Sequence, residues 1–473
     1  MHGLLLALAL GAGALSNFPR EAGGRIQHPA VLVPVGGAPA VVVAAADRLT
    51  ALRADGSTPP GLPLPISASP DEVASGAPAA ADMDGDGRPE IGVATSAGRV
   101  FLWSGAGVVP GFPVRLGARV RAGPSFADVD GDGRPELLLG DERGRLHALK
   151  RSGAEAKGFP VQLGAPVTSA ATSAALPGGR VVAVGCEDGK VHVIDLKTLR
   201  ERPGFPLVTH FAVSGAPAFA DLTDDGVLDL LVASQDYGLY AVNAQGEALP
   251  GFPAAAGYRL YEGPAVADLL GDGRLEVVFA SADGMVHAVT RSGAPLPGWP
   301  VRVGARVLGG PAVADLARDG KLEVVVVSTD GAVHALGRDG KELAGFPAEL
   351  GNGAGEVTAS PLVADLAGDG TPSIFVGLPG GDVHAVRAER PGSAVAAIPW
   401  PGPGHDAARS GRFGPYPPTY KDLRLDPAAP GVGDPLRAGF RGVAGRAARR
   451  VPAGPAHHLE PERKPGPRPR REA

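Results

Sequence analysis

One stretch of the chain, residues 263–300, reads GPAVADLLGDGRLEVVFASADGMVHAVTRSGAPLPGWP. It contains a short apolar stretch, a loop rich in Asp and Gly, a β-branched run, a turn at Asp283-Gly284 and a second alternating run. Alternating runs bounded by turn residues predict β-strands, and an Asp-Gly pair between two of them predicts a hairpin with a two-residue turn. The same pair recurs at Asp188-Gly189 and Asp330-Gly331. The stretch therefore predicts short strands joined by tight turns.

The unit repeats along the chain. The tripeptide GFP, once GWP, recurs at steps of 46 or 47 residues, beginning at Gly111, Gly158, Gly204, Gly251, Gly298 and Gly345. Weaker versions of the tripeptide begin at Asn17, Gly61 and Pro399. We call these three and the six tripeptides marks, and the nine marks delimit eight units. A period of 40 to 50 residues with four short strands per unit is typical of a propeller blade. We predict an all-β fold, a β-propeller of about eight four-stranded blades. Seven blades are the alternative, because the first unit is degenerate and either end could supply the closing strand.

Composition and charge exclude several classes of protein. The 473 residues include 71 Gly and 48 Pro. Such a share usually indicates low complexity, but here these residues recur with the period of the repeat, which indicates a globular protein. The single cysteine, Cys186, excludes a disulfide framework and a Cys-based zinc site. Residues 402–473 carry 14 Lys or Arg against 7 Asp or Glu, which leaves residues 1–401 at a formal charge of −12. An acidic body with few aromatic residues disfavours nucleic-acid binding.

The first residues predict export. An apolar run, Leu4–Leu15, is followed by small residues that permit cleavage after Ala14 or Ser16, so residues 1–16 are predicted to be a signal peptide. The protein would then be periplasmic, at the cell surface or secreted. No stretch reaches the roughly 20 apolar residues of a membrane-spanning helix. The alternative is a buried first strand, because no Lys or Arg precedes the apolar run.

The sequence changes character after the repeats. Residues 413–440 contain a Pro-rich linker and two short predicted strands, which indicate the start of an immunoglobulin-like module. Residues 441–473 are basic and rich in Arg and Pro, without hydrophobic periodicity, and are predicted to be disordered. We interpret this tail as a truncated or frameshifted domain.

Two loops of the repeat carry a pattern suited to calcium. Residues 82–90 read DMDGDGRPE and residues 128–136 read DVDGDGRPE, with acids at positions 1, 3, 5 and 9. Calcium takes six to eight oxygen ligands, and it suits this pattern better than magnesium, which requires stricter octahedral geometry. An EF-hand would require Glu at position 12, where Val93 and Leu139 stand. The predicted ligands are Asp82, Asp84, Asp86, Glu90 and the Arg88 carbonyl in the first loop, and Asp128, Asp130, Asp132, Glu136 and the Arg134 carbonyl in the second.

The pattern weakens along the chain. A third site is predicted at Asp221, Thr223, Asp225 and Asp229. The loops that begin at Asp268, Asp315 and Asp365 have Leu or Ala at position 3, so they are expected to bind calcium weakly or not at all. The alternative for every loop is purely structural, because Asp and Gly also favour turns through local hydrogen bonds.

Taken as a set, the D-x-D-G-D-G-x-x-E loops and the GFP marks resemble FG-GAP repeats of the VCBS type, a class to which the integrin α-chain head is distantly related. The resemblance covers residues 17–412 and includes the segment WPGPGHDAARSG from Trp400, which resembles the closing segment of bacterial members. It implies a calcium-stabilised propeller that is exported. It implies no particular ligand.

Histidines recur at one place in the second hairpin strand of a unit, and two readings are open for them. A shared metal site is disfavoured, because equivalent positions of different blades lie far apart, so we interpret them as packed or hydrogen-bonded strand residues. They are His147, His192, His287, His334 and His384.

No nucleophile elbow, HExxH or phosphate-binding glycine loop is present in the sequence. We therefore expect a non-catalytic, monomeric propeller that binds an extracellular protein or a glycan, with residues 348–360 as the best candidate for a binding loop. The alternatives are a secreted enzyme, either polysaccharide-acting or a quinone-dependent dehydrogenase, and a purely structural envelope component.

Overall fold

The computed structural model describes residues 12–14 by their backbone and residues 17–351, 355–388 and 397–402 in full. All regular elements within these ranges are β-strands, as predicted. No helix of the described residues is long and apolar enough to cross a membrane. The predicted linker and module start (413–440), the predicted disordered tail (441–473) and most of the closing segment lie outside the described residues.

The strands, numbered in chain order, form eight separate sheets. Blade 1 contains β3 (Val31–Val35), β4 (Ala38–Ala44), β5 (Arg48–Leu52) and β6 (Leu64–Pro65). Blade 2 contains β7 (Ala79–Ala81), β8 (Glu90–Ala94), β9 (Arg99–Ser104), β10 (Gly107–Val108) and β11 (Val114–Arg115). Blade 3 contains β12 (Ser125–Ala127), β13 (Glu136–Gly140), β14 (Arg145–Leu149) and β15 (Val161–Gln162). Blade 4 contains β16 (Thr172–Leu176), β17 (Gly179–Gly185), β18 (Lys190–Asp195), β19 (Arg200–Glu201) and β20 (Leu207–Val208).

The second half of the chain repeats the arrangement. Blade 5 contains β21 (Ala218–Ala220), β22 (Asp229–Ala233), β23 (Gly238–Val242) and β24 (Ala254–Ala255). Blade 6 contains β25 (Ala265–Ala267), β26 (Glu276–Ser281), β27 (Met285–Thr290) and β28 (Val301–Arg302). Blade 7 contains β29 (Ala312–Ala314), β30 (Glu323–Val327), β31 (Ala332–Leu336) and β32 (Ala348–Glu349). Blade 8 contains β33 (Leu362–Ala364), β34 (Ser373–Gly377) and β35 (Asp382–Ala388), together with β1 (Ala12–Ala14) and β2 (Arg20–Glu21).

The ring closes through blade 8. Strand β35 pairs antiparallel with β34 on one side and with β1 and β2 on the other, so the outer strand of the last blade comes from the start of the chain. This closure gives eight blades, which confirms the leading prediction over seven. The pairing of β1 agrees with the first-strand alternative for this part of the chain. The signal peptide stays a prediction.

The ninth mark has a different role from the other eight. Trp400 lies beside β29, where its carbonyl accepts the Val313 N–H at 2.7 Å and its own N–H donates to the Val313 carbonyl at 3.2 Å. The Val363 N–H of blade 8 donates to the Pro401 carbonyl at 2.8 Å. The Trp400 side chain is only 1% exposed. Residues 397–402 therefore cover the first strands of blades 7 and 8 instead of adding an outer strand.

The connections define two faces of the ring. Consecutive strands in a blade are antiparallel, so the loops after the first and third strands emerge on one face, the acidic-loop face. The hairpin between the second and third strands and the connection to the next blade emerge on the opposite face, the hairpin face. In blades 1 and 4, which have no acidic loop, two-residue turns at Gly36-Gly37 and Pro177-Gly178 join the first two strands directly.

The Asp-Gly hairpins differ from the prediction in loop length. Ser281 pairs with Met285, so the loop contains three residues, and Gly284 donates its N–H to the Ser281 carbonyl at 3.0 Å. Only Gly284 has a positive φ, 82°, whereas a two-residue turn of the predicted kind would need two such residues. The prediction of a two-residue turn is therefore wrong. A three-residue loop that ends in a left-handed Gly shares the Asp-Gly signal and gives the same strand pairing.

The core lies between blades, because each blade packs against two neighbours. Strand β26 is buried along its whole length, and its Val277 and Phe279 pack in one cluster with Leu231 of blade 5 and Val324 of blade 7. Each fully buried side chain of this kind contributes about 1.5–3 kcal/mol. Cys186 lies in another such cluster, and burial raises the pKa of its thiol to about 12, as expected for a packed residue and not for a nucleophile.

The glycine of the GFP mark permits close contact between blades. A Cβ on Gly251 of blade 5 would lie 1.8 Å from the carbonyl oxygen of Ser292 in blade 6, and Gly251 has a φ of 83°. A Cβ on Gly293 would in turn lie 2.3 Å from the Gly251 carbonyl oxygen. The proline of each mark from Pro19 to Pro347 follows a cis peptide bond. The same close approach of a mark glycine to a backbone carbonyl oxygen of the next blade recurs at Gly111, Gly204 and Gly298.

Candidate metal centre

All six acidic loops connect the first two strands of a blade, and in all six the Asp at position 1 accepts a hydrogen bond from the N–H of position 6. In the first loop, Asp82 accepts the N–H of Gly85 at 2.7 Å and that of Gly87 at 2.8 Å. The loop at Asp268, which has Leu at position 3, contains the equivalent bonds at 2.7 and 2.8 Å. The Asp at position 1 therefore holds the turn whether or not position 3 is acidic.

The acids at positions 5 and 9 also bond the backbone. Asp86 accepts the Arg88 N–H at 2.8 Å, and Asp132 accepts the Arg134 N–H at 2.8 Å. At position 9, Glu90 accepts the Met83 N–H at 2.8 Å and Glu136 accepts the Val129 N–H at 2.9 Å. Arg88 and Arg134 thus take part through their N–H groups. That the backbone carbonyls of Arg88 and Arg134 bind calcium stays a prediction.

Position 3 distinguishes the loops that can gather three carboxylates. Asp82, Asp84 and Asp86 each offer one oxygen, and these oxygens lie within 4.8 Å of one another. In the second loop the corresponding group is Asp128, Asp130 and Glu136. Two Ca–O bonds of about 2.4 Å span about 4.8 Å, so three oxygens at this spacing can contact one ion. The residues of both loops therefore fit calcium.

The third predicted site is less complete. Asp221 accepts the Gly226 N–H at 2.8 Å and Asp229 accepts the Leu222 N–H at 3.0 Å, as in the other loops. Asp225 accepts the Val227 N–H at 2.8 Å. The described residues form no group of three acidic ligands in this loop, where Thr223 occupies position 3. Calcium binding at Asp221, Thr223, Asp225 and Asp229 stays a prediction with weaker geometric support.

The last acidic loop departs furthest from the pattern. Position 9 is Ser373, and its hydroxyl accepts a hydrogen bond from the Arg387 guanidinium at 2.8 Å. Arg387 also lies 3.3 Å from Asp369 at position 5. An arginine thus supplies a positive charge in this loop.

The buried carboxylates of the loops are electrostatically strained. Burial, together with the nearby Asp130 and Asp132, raises the pKa of Glu136 to about 7. Burial also raises the pKa of Glu90, and that of Asp229 to about 6. The charged forms of these groups are therefore unfavourable without a nearby cation.

Basic side chains lie beside these carboxylates and supply part of the positive charge that they require. The Lys150 ammonium lies 2.6 Å from Asp130, and Arg151 lies 2.8 Å from Asp84 and 3.2 Å from Glu90 in the preceding blade. A calcium ion would have to share or displace these cations. These contacts were not predicted from the sequence, although the sequence contains a signal for the arginines, since an Arg recurs in the turn after the third strand at Arg151, Arg291 and Arg338.

Three of the five recurring histidines pair with a glutamate of their own blade. Nδ1 of each of these three lies 2.6 Å from a glutamate that follows eight or nine residues later, and the pairs are His147–Glu155, His192–Glu201 and His334–Glu342. His287 instead stacks on Phe279, with ring centroids 4.7 Å apart. These contacts agree with the structural interpretation of the histidines.

Comparison with known proteins supports the family resemblance over part of the chain. Residues 82–139 match the FG-GAP-like repeat family, and they contain both loops in which three acids converge. No curated protein matches the chain. The crystal structure of BamB from Moraxella catarrhalis is similar, with a TM-score of 0.50 and 16% identity over 79% of this chain and 98% of that one. The computationally designed Ika8 protein is similar too, with a TM-score of 0.50 and 16% identity over 78% of this chain and 99% of that one. At these identities the likeness supports the fold alone.

Proposed function

We propose that this chain, an FG-GAP repeat β-propeller, is an exported, non-catalytic protein that binds calcium in blades 2 and 3 and binds a protein or glycan partner at the cell envelope. The observation that carries the proposal is the pair of acid triplets, Asp82, Asp84, Asp86 and Asp128, Asp130, Glu136, each close enough to contact one ion. Both triplets lie in the stretch that matches the FG-GAP-like family.

Calcium in these loops would stabilise the acidic-loop face. The ion would neutralise carboxylates that lie close together and whose charged forms burial disfavours, and it would hold the connection between the first two strands of each blade. Arg151 and Arg180 each reach from their own turn or strand to an acid of the preceding blade, at 2.8 Å from Asp84 and from Asp128 respectively, so they would share these acids with the ion or be displaced by it.

A binding role fits the regularity of the ring. A nearly constant period of 46 or 47 residues leaves little room for long inserted loops, which is where the catalytic residues of a propeller would lie. Function would then depend on how individual turns depart from the repeat. Export rests on the apolar segment at residues 1–16, and calcium concentrations outside cells are high enough for loops of moderate affinity.

The proposal is tested by calorimetric titration of calcium into the chelator-stripped full chain. We expect two sites, and we expect the double variant Asp84→Asn, Asp130→Asn to lose both while keeping the turns that Asp82 and Asp128 hold. The matched control is Asp272→Asn, which changes position 5 of the loop with Leu270 at position 3 and should leave the two sites intact.

Thermal unfolding gives a second readout. A site saturated at one hundred times its Kd stabilises the native state by about 2.7 kcal/mol, so calcium should raise the Tm of the wild type and not that of the double variant. A titration without heat and a Tm independent of calcium would show that the acidic loops are structural turns only.

A further inference from the structure

The hairpin face carries a local concentration of exposed apolar side chains. In the described part of the chain, five large hydrophobic side chains are exposed, and four of them belong to blades 4 and 5 or their connections. Phe211, Tyr237 and Tyr258 are 55%, 42% and 46% exposed, and Val208, three residues before Phe211, is 62% exposed. Exposed apolar patches of this kind mark interaction sites more often than isolated side chains do.

Contacts join these residues into one surface, the aromatic patch of Phe211, Tyr237, Tyr258 and Arg259. The two tyrosine rings stack with centroids 5.7 Å apart and planes 10° from parallel. The Arg259 guanidinium lies 5.8 Å from the centroid of the Phe211 ring. Arg259 also reaches the amide oxygen of Gln235, two residues before Tyr237, at 3.5 Å. The patch thus spans the two blade connections on either side of blade 5 and the hairpin between them.

Tyr237 departs from the repeat at a position that favours glycine. Its φ is 76°, and it occupies the last position of a three-residue hairpin loop. A left-handed backbone costs a non-glycine residue roughly 1–2 kcal/mol, and such a cost at a bulky residue points to a function for the side chain. The equivalent residues of the other three-residue hairpins are Gly98, Gly144, Gly189, Gly284, Gly331 and Gly381, all with positive φ.

The other two rings depart from the repeat as well. Phe211 and Tyr258 stand five residues after the proline of their marks, where blades 2, 3 and 6 have Ala118, Ala165 and Ala305. The fold therefore tolerates small residues at all three aromatic positions. Three independent departures converge on one exposed surface, which packing of the propeller does not require.

From this surface we infer that the aromatic patch binds a proline-rich, extended segment of a partner protein. The inference rests on the partner-binding half of the proposed function and not on calcium. Proline has no backbone N–H to leave unsatisfied, and its flat ring packs on aromatic faces in the preformed polyproline II conformation. The Arg259 guanidinium and the tyrosine hydroxyls can donate to the solvated carbonyls of such a segment.

The polar groups around the patch favour this partner over a glycan. The Asp236 carboxylate already accepts hydrogen bonds from the Tyr240 hydroxyl at 2.7 Å and from the backbone N–H of His210 at 2.8 Å. The Gln235 amide donates to the Ser214 hydroxyl at 3.2 Å. These bonds leave Asp236 and Gln235 fewer free positions for the hydroxyls of a sugar, whereas proline rings need no hydrogen-bond partner. The formal charge of −12 over residues 1–401 further favours a segment that is neutral or basic.

The experiment uses the full chain as bait for a phage-displayed random dodecapeptide library, with the triple variant Phe211→Ala, Tyr237→Gly, Tyr258→Ala as the counter-bait. This variant restores the residues of the sibling blades, so its Tm should equal or exceed that of the wild type. We expect the selected peptides to be enriched in proline and to bind the triple variant at least tenfold more weakly, as measured by fluorescence anisotropy. Replacing the prolines of a selected peptide by alanine should have a similar effect.

The matched control is Val108→Ala, which removes an exposed apolar side chain from blade 2 and should leave the affinity unchanged. Selection of no peptide, of peptides without proline enrichment, or of peptides that bind the triple variant equally well would overturn the inference. Binding of chitohexaose that the triple variant loses would instead identify a glycan surface and would also overturn it. Each titration is run in calcium and in chelator, so failure of the calcium sites with intact peptide binding would reject only the calcium proposal.

Discussion

At the scale of single residues, position 3 of the acidic loop decides between a turn and a candidate metal site. The hydrogen bonds of positions 1, 5 and 9 are the same in the loops at Asp82 and Asp268, so the backbone does not depend on position 3. Asp84 completes a triplet of oxygens within 4.8 Å, whereas Leu270 offers no ligand. The scaffold for a site therefore exists where its third ligand is missing.

This independence predicts a gain of binding. The variant Leu270→Asp gives blade 6 acids at positions 1, 3, 5 and 9 on a loop that already has the required turn, and we expect calorimetry to detect one calcium site more than in the wild type. The control Leu270→Ala removes the same side chain without adding a ligand and should add no site. An unchanged site count in Leu270→Asp would show that the turn alone does not preorganise the ligands.

A second residue-scale property is the charge of the buried acid at position 9. Burial raises the pKa of Glu276 from 4.5 to about 7, although its carboxylate accepts the N–H of Leu269 at 2.9 Å. The folded protein then binds a proton more tightly than the unfolded chain does. The contribution of Glu276 to stability is therefore most favourable below pH 4.5, and it falls as the pH rises to about 7.

We predict that Glu276→Gln removes this pH dependence, because the amide can still accept the Leu269 N–H. The free energy of unfolding of the variant should exceed that of the wild type by about 1–3 kcal/mol at pH 8 in chelator, and the difference should vanish near pH 4. Denaturant titrations at several pH values measure it. The exposed control Glu349→Gln should show no such trend, and a difference independent of pH would contradict the assignment.

At the scale of elements, the blade boundary is built from backbone contact as well as side-chain packing. Gly251 and Gly293 face each other across the boundary between blades 5 and 6, and a Cβ on either would lie within 2.3 Å of a carbonyl oxygen of the other turn. Van der Waals contact between carbon and oxygen cannot be that short. The spacing of neighbouring blades at this radius therefore requires glycine.

A pair of variants separates this contact from the backbone conformation. Gly251→Ala and Gly304→Ala both place Ala at a positive φ, 83° and 91°, but a Cβ at Gly304 meets no atom within 4 Å. We expect Gly304→Ala to cost about 1 kcal/mol and Gly251→Ala to cost more than about 2 kcal/mol, measured as the loss in Tm and in unfolding free energy. Equal losses would show that the boundary can widen without penalty.

At the scale of the whole molecule, both ends of the propeller sequence contribute to closure. Strand β2 completes blade 8 from the start of the chain, and residues 397–402 lie along the first strands of blades 7 and 8. Trp400 packs in the same cluster as residues of blades 5, 6 and 7. The last part of the propeller thus connects several blades in one core.

Trp400→Ala tests this connection. Loss of a buried Trp side chain should destabilise the propeller by about 3–5 kcal/mol, and hydrogen exchange of the Val313 amide, which donates to the Trp400 carbonyl, should accelerate. The exposed control Phe211→Ala should change stability by no more than about 0.5 kcal/mol. A Tm close to that of the wild type, with Val313 still protected, would show that this segment covers the ring without stabilising it.

The sequence by itself determined the repeat and the strand content and favoured eight blades over seven, because turn residues such as Asp283-Gly284 and the recurrence of marks such as Gly251 are local features of the chain. It also located the loops whose acids converge at Asp82 and Asp128. Only the tertiary structure decided which end closes the ring, which cations lie beside the acids and where Phe211, Tyr237 and Tyr258 meet. These features join residues from different blades, and their spacing in the chain contains no local signal of their distance in space.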